Sequence, residues 1–298
     1  VSSASEFVVF IDGHRVSGAD ARVSVFDRGF LYGDSVFETI RTYGGKPFAL
    51  DEHLARLRRS AELVFIPVPW DREQLRAEVL AAVAAFGEGE CYIRLMVTRG
   101  QAEMGLDPGG AFEPLRVIIV GPLHPPSAQL YETGASAVTF RTLRPSDATV
   151  AEGAKIGNYL VAVLAMREAR KVQANEALIV DREGRVVEGA SSNVFVVSGG
   201  ELITPPVESG ILAGVTRSRA ITAAEQQGLT VRYEIPAVEV VQNADELFVS
   251  SSIRELLPIV TLNGMPIGDG RVGPVTRRVR EQFRLVVEQE MLAAYKSI

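Results

Sequence analysis

Gly153-Ala154-Lys155-Ile156-Gly157-Asn158-Tyr159-Leu160, then Val186-Val187-Glu188-Gly189-Ala190-Ser191-Ser192-Asn193-Val194-Phe195, then Gly210-Ile211-Leu212-Ala213-Gly214-Val215-Thr216-Arg217 are the stretches on which the reading of this chain turns. The first sets a lysine among small residues, Gly153, Ala154 and Gly157, which leave room for a flat group beside the amine. The second places a glutamate after Val186-Val187 and before Gly189, where a strand is expected to end and the backbone to turn. The third opens a helix, whose first N–H groups, with a hydroxyl beside them, suit an anion. Each piece alone has a plainer explanation. A lone lysine is nearly always a surface residue, Glu188 reads as an exposed turn residue, Tyr159 as a core aromatic and Thr216 as a simple helix cap.

Taken in order, the three answer to one chemistry, that of pyridoxal phosphate. An amine must condense with the aldehyde. A carboxylate must keep the ring nitrogen protonated, so that the ring accepts electrons from the substrate's Cα. A helix start with a hydroxyl must bind the phosphate dianion. Tyr159, one helical turn beyond Lys155, is placed to hydrogen-bond the ring's phenolic oxygen. Ser250-Ser251-Ser252 closes a strand and offers a further phosphate hydroxyl, or merely a loop.

The totals set bounds. At 298 residues the chain is long for one core and comfortable for two, since single cores stop growing at about 250–300 residues. Apolar content of 47% with 23% charged is that of an ordinary globular protein. A net charge of -6 speaks against a nucleic-acid surface, which needs clustered lysine and arginine. Arg56-Leu57-Arg58-Arg59 and Arg277-Arg278-Val279-Arg280 lie inside helical patterns and read first as solvated faces. The single cysteine, Cys91, sits beside apolar strand residues and excludes an internal disulfide and a cysteine-based zinc site. His14, His53 and His124 lack metal-ligand spacing, so no metal is expected. No apolar run approaches the roughly 18 residues of a membrane span, and Val1-Ser2-Ser3-Ala4-Ser5-Glu6 lacks the basic and apolar parts of a signal peptide. A cytosolic protein without nucleic-acid or membrane partners is the expectation.

Phe7 to Ile11, Asp12-Gly13 and His14 to Val16 predict a hairpin with a two-residue turn. A strand is expected at Val36 to Thr42. Beyond Asp51, a candidate helix cap, Leu54, Leu57, Ala61 and Val64 recur at helical spacing, and a second helix runs from about Arg72 to Phe86. Strands follow at Tyr92 to Thr98 and Leu115 to Val120. Gly121-Pro122-Leu123-His124-Pro125-Pro126-Ser127 is the best linker, because proline denies it helix and ladder bonds. Beyond it come a strand at Ser136 to Arg141, a helix from about Tyr159 to Lys171, and short strands at Ala177 to Val180, Val186 to Val187, Val194 to Val197 and Leu202 to Thr204. A helix from Val215 to Gln227 precedes strands near Thr230 to Tyr233, Glu246 to Ser250 and Ile259 to Leu262. Asn263-Gly264 is a further hairpin turn, and the last helix begins near Pro274. The expectation is a mixed α/β chain with a small domain at 1–121, a linker at 122–132 and a large domain at 133–298.

On these motifs the chain resembles the class IV, or fold-type IV, pyridoxal phosphate-dependent aminotransferases over essentially its whole length. That family holds branched-chain aminotransferases, D-amino-acid aminotransferases, (R)-selective amine transaminases and aminodeoxychorismate lyase. The resemblance implies the two-domain α/β (mixed α+β) fold of D-amino-acid aminotransferase, with the cofactor between the domains and at least a homodimer. It implies that Lys155 is the Schiff-base lysine, that Glu188 of Glu-Gly-Ala-Ser-Ser-Asn partners the pyridine nitrogen, and that Val215-Thr216, led in by Leu212 and Gly214, opens the phosphate-binding helix. Arg56 in His53-Leu54-Ala55-Arg56-Leu57 resembles the family's phosphate arginine and so leaves the solvated face. Ser252, with Ser251 beside it, resembles its second phosphate hydroxyl.

Substrate choice is expected in the N-terminal half. Strand alternation puts Phe37, Thr39 and Arg41 on one face, and Tyr92, Arg94 and Met96 on one face with Ile93, Leu95 and Val97 in the core. A charged Arg94 among apolar neighbours needs a partner or a site. With Tyr32 and Met104-Gly105-Leu106, this set resembles the branched-chain pattern. There, aromatic walls hold an aliphatic side chain, arginine serves the dicarboxylate co-substrate, and the Met104 to Leu106 loop reaches the neighbouring subunit's pocket. Ile253 joins the substrate set from its turn. The Arg-x-His trap of D-amino-acid enzymes is absent from Gln101-Ala102-Glu103-Met104-Gly105-Leu106.

Other members stay in view. Thr39 stands where branched-chain enzymes usually have glycine and the lyase has threonine. Lys155 to Tyr159 is one residue shorter than the usual branched-chain spacing. Ser251-Ser252-Ile253-Arg254-Glu255 differs from the small-residue turn that receives the substrate carboxylate in branched-chain enzymes. Against the lyase, Tyr159 stands where arginine is usual. The reading favours amino transfer from an L-branched-chain amino acid to 2-oxoglutarate, with lyase, D-amino-acid and (R)-amine activities as alternatives.

Overall fold

The computed structural model describes residues 6–111, 113–142 and 153–296. They fall into two compact units, one formed by the described residues of Val1–His124 and Thr149–Tyr159, the other by those of Pro125–Ala148 and Leu160–Ile298. The expected division at 122–132 is thereby corrected in two respects. The segment carrying Lys155 counts with the first unit, and the expected linker is partly structured, because a strand runs on to Pro122 and a helix begins at Ala128. Backbone pairing explains the first point. Ile156 bridges Val36, Phe37 N donates to Lys155 O at 3.0 Å, and Gly157 N donates to Ser35 O at 2.7 Å.

In the first unit β1 (Val8–Ile11) and β2 (His14–Val16) form the expected hairpin, with Ile11 opposite His14. A short α1 (Arg28–Tyr32) follows, then β3 (Ser35–Tyr43), β4 (Lys46–Pro47), α2 (Leu50–Leu63), α3 (Arg72–Phe86), β5 (Cys91–Thr98) and β6 (Arg116–Pro122). The sheet is antiparallel in the order β2-β1-β6-β5-β3-β4. One face buries Val36, Ile40, Ile93, Leu95 and Val97 in a core shared with Leu54, Leu57, Leu75 and Val79 of α2 and α3. Cys91 is part of that core, where burial pushes its thiol pKa up. The other face carries Phe37 opposite Met96, Thr39 opposite Arg94 and Arg41 opposite Tyr92.

Two local expectations change. Asp51 is not the cap of α2. Ala49 holds that position at φ 48, and Asp51 lies in the first turn, accepting from Arg72 and Arg76 of α3. The five-residue α1 escapes periodicity because it is shorter than two turns; Asp27 caps it through Gly29 N, and Gly33 ends it at φ 69.

The second unit contains α4 (Ala128–Thr133), β7 (Ala135–Arg141), α5 (Leu160–Lys171), β8 (Glu176–Val180), β9 (Val186–Gly189), β10 (Asn193–Ser198) and β11 (Glu201–Thr204). After these come α6 (Val215–Gln226), β12 (Val231–Tyr233), α7 (Val238–Gln242), β13 (Glu246–Ser251), β14 (Glu255–Leu262), β15 (Met265–Pro266) and α8 (Pro274–Tyr295). The nine-stranded mixed sheet runs β12-β11-β10-β13-β14-β7-β8-β9, with β15 paired to β14. Its core includes Leu178, Val194, Val196, Leu247, Val249 and Ile259. β14 starts earlier than expected and absorbs Pro258. The proline is tolerated because β7 pairs with β14 only from Ile259 onward, which leaves Pro258 no ladder bond to donate on that side.

Candidate active site

Three segments meet around Lys155 within the first unit. Residues 153–159 are not helical, so the predicted helical-turn relation between Lys155 and Tyr159 does not hold; α5 starts at Leu160. The two side chains still meet, with Lys155 Nζ donating to Tyr159 Oη at 3.1 Å. Nζ also stands 4.6 Å from the Phe37 ring centre, and the Phe37 and Tyr159 rings meet edge to face at 5.1 Å. The strap itself is tied to α2, because Lys155 N donates to Ser60 Oγ at 3.0 Å.

Arg94 lies over the Phe37 ring at 4.2 Å and donates from Nε to Tyr92 Oη at 2.7 Å. The expected partner of this charged strand residue is therefore aromatic, through a cation–π contact and a phenolic oxygen. Arg41 lies over Tyr43 at 4.2 Å. Thr39 sits between Phe37 and Arg41 on the same face, half-buried. Tyr32 Oη accepts from Gly105 N at 3.1 Å, and Arg28 donates to the carbonyls of Gly105, Leu106 and Asp107. The backbone of the Met104 to Leu106 loop is thus anchored while Met104 and Leu106 side chains stay 75% and 82% exposed.

Arg56 is buried on α2 and makes a two-pronged bond to Glu38, Nε to Oε1 at 2.7 Å and Nη2 to Oε2 at 2.6 Å. His53 Nδ1 is 2.7 Å from the same Oε2. Burial pushes the Glu38 pKa up, but the bonds and charge of Arg56, helped by His53, outweigh it and hold the carboxyl down to about 2. Burial is also the main reason that His53 titrates below its usual range. Neither Glu38 nor His53 was singled out for the site from sequence. A signal existed: His53, Arg56 and Ser60 recur at spacings of three and four, a polar stripe beside the apolar Leu54, Leu57 and Ala61.

In the second unit Glu188 is the last residue but one of β9, opposite Ile179, and the backbone reverses just after it, at residues 190–192. That turn is tight. Gly189 N donates to Ser192 O at 2.7 Å, and a side chain at Gly189 would run into Ser192 Oγ. α6 starts at Val215 with Gly214 as its cap residue and no side-chain cap, so Thr216 is not the plain cap that was the alternative. Gly214 has no room for a Cβ against Asn193 Oδ1, and Asn193 Nδ2 donates to Leu212 O at 2.9 Å. Ser251 ends β13, and Ser252 and Ile253 lie in the turn that follows. Ser250 Oγ is buried with no hydrogen-bond partner among the described residues.

Among the described residues no group of His, Cys, Asp and Glu is placed to hold a metal, and no helix is long and apolar enough to cross a membrane. Residues 35–262 match the model of the amino-transferase class IV family. The chain belongs to the class IV aminotransferases. It is similar to a putative branched-chain-amino-acid aminotransferase of Methanocaldococcus jannaschii, 38% identical over 276 residues that cover 93% of this chain and 95% of the relative. It is 32% identical over 272 residues to a D-alanine aminotransferase of Bacillus licheniformis, covering 91% of this chain and 94% of the relative. Among solved structures it resembles a T.th. branched-chain amino acid aminotransferase complexed with N-(5'-phosphopyridoxyl)-L-glutamate, with a TM-score of 0.87, 30% identity and coverage of 95% and 94%.

As a class IV aminotransferase the chain is a pyridoxal phosphate-dependent transferase whose substrates are amino acids and 2-oxo acids. Its residues fit that cofactor. The first unit presents a half-buried amine at Lys155. The second presents a carboxylate at Glu188, an uncapped helix start whose leading N–H groups lack intrahelical partners, and the orphaned buried hydroxyl of Ser250.

Proposed function

We propose that this aminotransferase moves the amino group of an L-branched-chain amino acid to 2-oxoglutarate, working as a cytosolic homodimer. The observation that carries the substrate choice is the wall beside the lysine. Phe37, Tyr92 and Tyr159 offer aromatic surface for an aliphatic side chain, and Arg94, held over Phe37 and by Tyr92, offers a cation for the distal carboxylate of the acceptor.

Bound pyridoxal phosphate supplies the electron sink that acidifies the substrate's Cα–H. Lys155 Nζ carries that proton as general base and acid, oriented by Tyr159 Oη. Glu188 holds a proton at the ring nitrogen. The N–H groups of Val215 and Thr216, the hydroxyls of Thr216, Ser251 and Ser252, and the Arg56 guanidinium take the phosphate, with Leu212 and Gly214 shaping the approach to α6. Thr39, Arg41 and Ile253 complete the substrate contacts.

The Met104 to Leu106 loop is assigned to the neighbouring subunit's pocket, and Tyr32, whose hydroxyl accepts from Gly105 N, to the substrate set. Supporting the dimer, Phe26, Phe30, Leu160 and Val163 are exposed apolar side chains, Phe30 to 66%, of the kind a subunit interface covers. The single cysteine is in keeping with a reducing compartment.

A second reading, D-amino-acid transamination, is favoured by the relative named D-alanine aminotransferase and by the short step from Lys155 to Tyr159. One preparation assayed with L-leucine, D-alanine, (R)-1-phenylethylamine and aminodeoxychorismate decides between them. L-Leucine is expected to give the highest kcat/KM with 2-oxoglutarate as acceptor. D-Alanine in first place hands the assignment to the second reading, and turnover confined to aminodeoxychorismate overturns both.

A further inference from the structure

Arg254 occupies the turn between β13 and β14, where Ser251 pairs with Glu255 and Glu255 takes a positive φ of 51. Its side chain spans two turns. Nη1 donates to Glu176 Oε2 at 2.6 Å, Nη2 to Ser191 Oγ at 2.9 Å, and Nε to Ser251 Oγ at 3.2 Å. Glu176 is fully buried on β8; its Oε1 accepts from Ala177 N at 2.8 Å, and its Oε2 accepts a second bond from Ser192 Oγ at 2.7 Å. The Arg254 carbonyl in turn accepts from Tyr131 Oη at 2.9 Å, which braces the turn from α4. One guanidinium and one buried carboxylate therefore join the Ser191-Ser192 turn, next along the chain from Glu188, to the turn that carries Ser251 and Ser252.

We propose that Arg254 is the positioning residue of the cofactor site. Through Glu176 it fixes the spacing between the carboxylate of Glu188 and the hydroxyls of Ser251 and Ser252, without itself touching the cofactor. This rests on the reading of Glu188, Ser251 and Ser252 given under the proposed function. The arginine is suited to the task because a planar fork bonds several acceptors at set angles, whereas an ammonium holds one point.

The test compares Arg254→Ala, Arg254→Lys and the double variant Glu176→Gln/Arg254→Ala with the parent. Each apoprotein is titrated with pyridoxal phosphate, the pH midpoint of the bound cofactor's visible absorbance is recorded, and melting of the apoprotein is followed alongside. Arg254→Ala alone strands a buried carboxylate and is expected to melt early. The double variant removes that charge and is expected to melt near the parent, yet to bind pyridoxal phosphate about tenfold or more weakly, the scale at which supporting groups act on those they orient. Its pH midpoint is expected to move as well. Arg254→Lys is expected to recover the melting temperature through Glu176 but not the affinity. A double variant with the parent's melting temperature, dissociation constant and pH midpoint makes Arg254 a structural strut and overturns the inference. A parent that takes up no pyridoxal phosphate overturns the cofactor reading too, and is told apart because the parent itself fails.

Discussion

The strap that carries Lys155 and the turn that follows Glu188 stand on supports built in different ways. The lysine's strap is held through its backbone: Phe37 N to Lys155 O, Gly157 N to Ser35 O, and Lys155 N to Ser60 Oγ. Glu188 itself lies in the β8–β9 ladder, and the turn after it adds to its backbone bond, Gly189 N to Ser192 O, a side-chain brace, Arg254 and Ser192 on the buried Glu176. Backbone bonds do not depend on which side chain a position carries, so a ladder-held residue is replaceable for stability whatever its side chain does in the proposed chemistry. A support made of one buried charge pair fails when either partner is removed, because the other is left uncompensated.

The largest effect follows from that contrast. Lys155→Ala is expected to lower turnover by roughly a thousandfold or more, as loss of a general base and attachment point does. Unfolding free energy should change by less than about 1 kcal/mol, because the strap's bonds are untouched. Stopped-flow half-reactions and denaturant unfolding measure the two quantities on the same protein. An early-melting Lys155→Ala protein would mean that the side chain, and not the ladder, holds the strap.

The most deeply buried charge pair described in the first unit is a support of the second kind, and it gives the next effect in size. Glu38 is fully buried and its carboxyl sits at about 2, against 4.5 for a free one, under the combined pull of Arg56 and His53. A depressed carboxyl contributes stability that is complete above about 4.5 and is lost as pH falls toward about 2, worth roughly 3 kcal/mol at the scale of 1.36 kcal/mol per pKa unit. His53, buried and lowered from 6.5, works in the same direction from a higher pH, since the unfolded imidazole takes up a proton first as pH drops below 6.5. Glu38→Gln is expected to destabilise the protein by about 3 kcal/mol at pH 7 and to remove the carboxylate's part of the pH slope below 4.5. Urea midpoints at several pH values read both. An unchanged slope would show that Arg56 is held by other groups.

The same contrast sets what was legible in the sequence. β1 and β2, α2 and α3, and the longer strands of both sheets declare themselves through turn residues and spacing, because those signals are local; the two-residue β4 and β15 are too short to do so. Lys155, Glu188 and Thr216 stand out because each sits in a short motif of small or polar residues. The ladder that carries Lys155 back to the first unit does not stand out, since a backbone bridge between Val36 and Ile156 requires no particular side chain. The charged supports fail for another reason. Glu38 with Arg56, and Glu176 with Arg254, are ordinary residues far apart in the chain, and burial alone turns them into pairs. Only the stripe of His53, Arg56 and Ser60 on α2 left a local trace.

The smallest effect probes the ladder where it is tightest. Gly157 does not need a left-handed conformation; it needs the absence of a side chain, because a Cβ there would run into Ser35 Oγ and lie 3.4 Å from the carbonyl oxygen of Gly33. Gly157→Ala is therefore expected to push the strap off β3 and cost about 1–3 kcal/mol, the usual range for overpacking. Removing the obstacle should reverse this, so Ser35→Gly in the same protein is expected to recover most of the loss, a coupling that a double-mutant cycle by denaturant unfolding measures directly. Turnover should follow stability only in part, because a shifted strap also moves Lys155 Nζ away from Tyr159 Oη. If the cycle shows no coupling, the strap does not rest closely on Ser35. The distinction between a ladder-held strap and a charge-braced turn would then rest on Phe37 N and Ser60 Oγ alone.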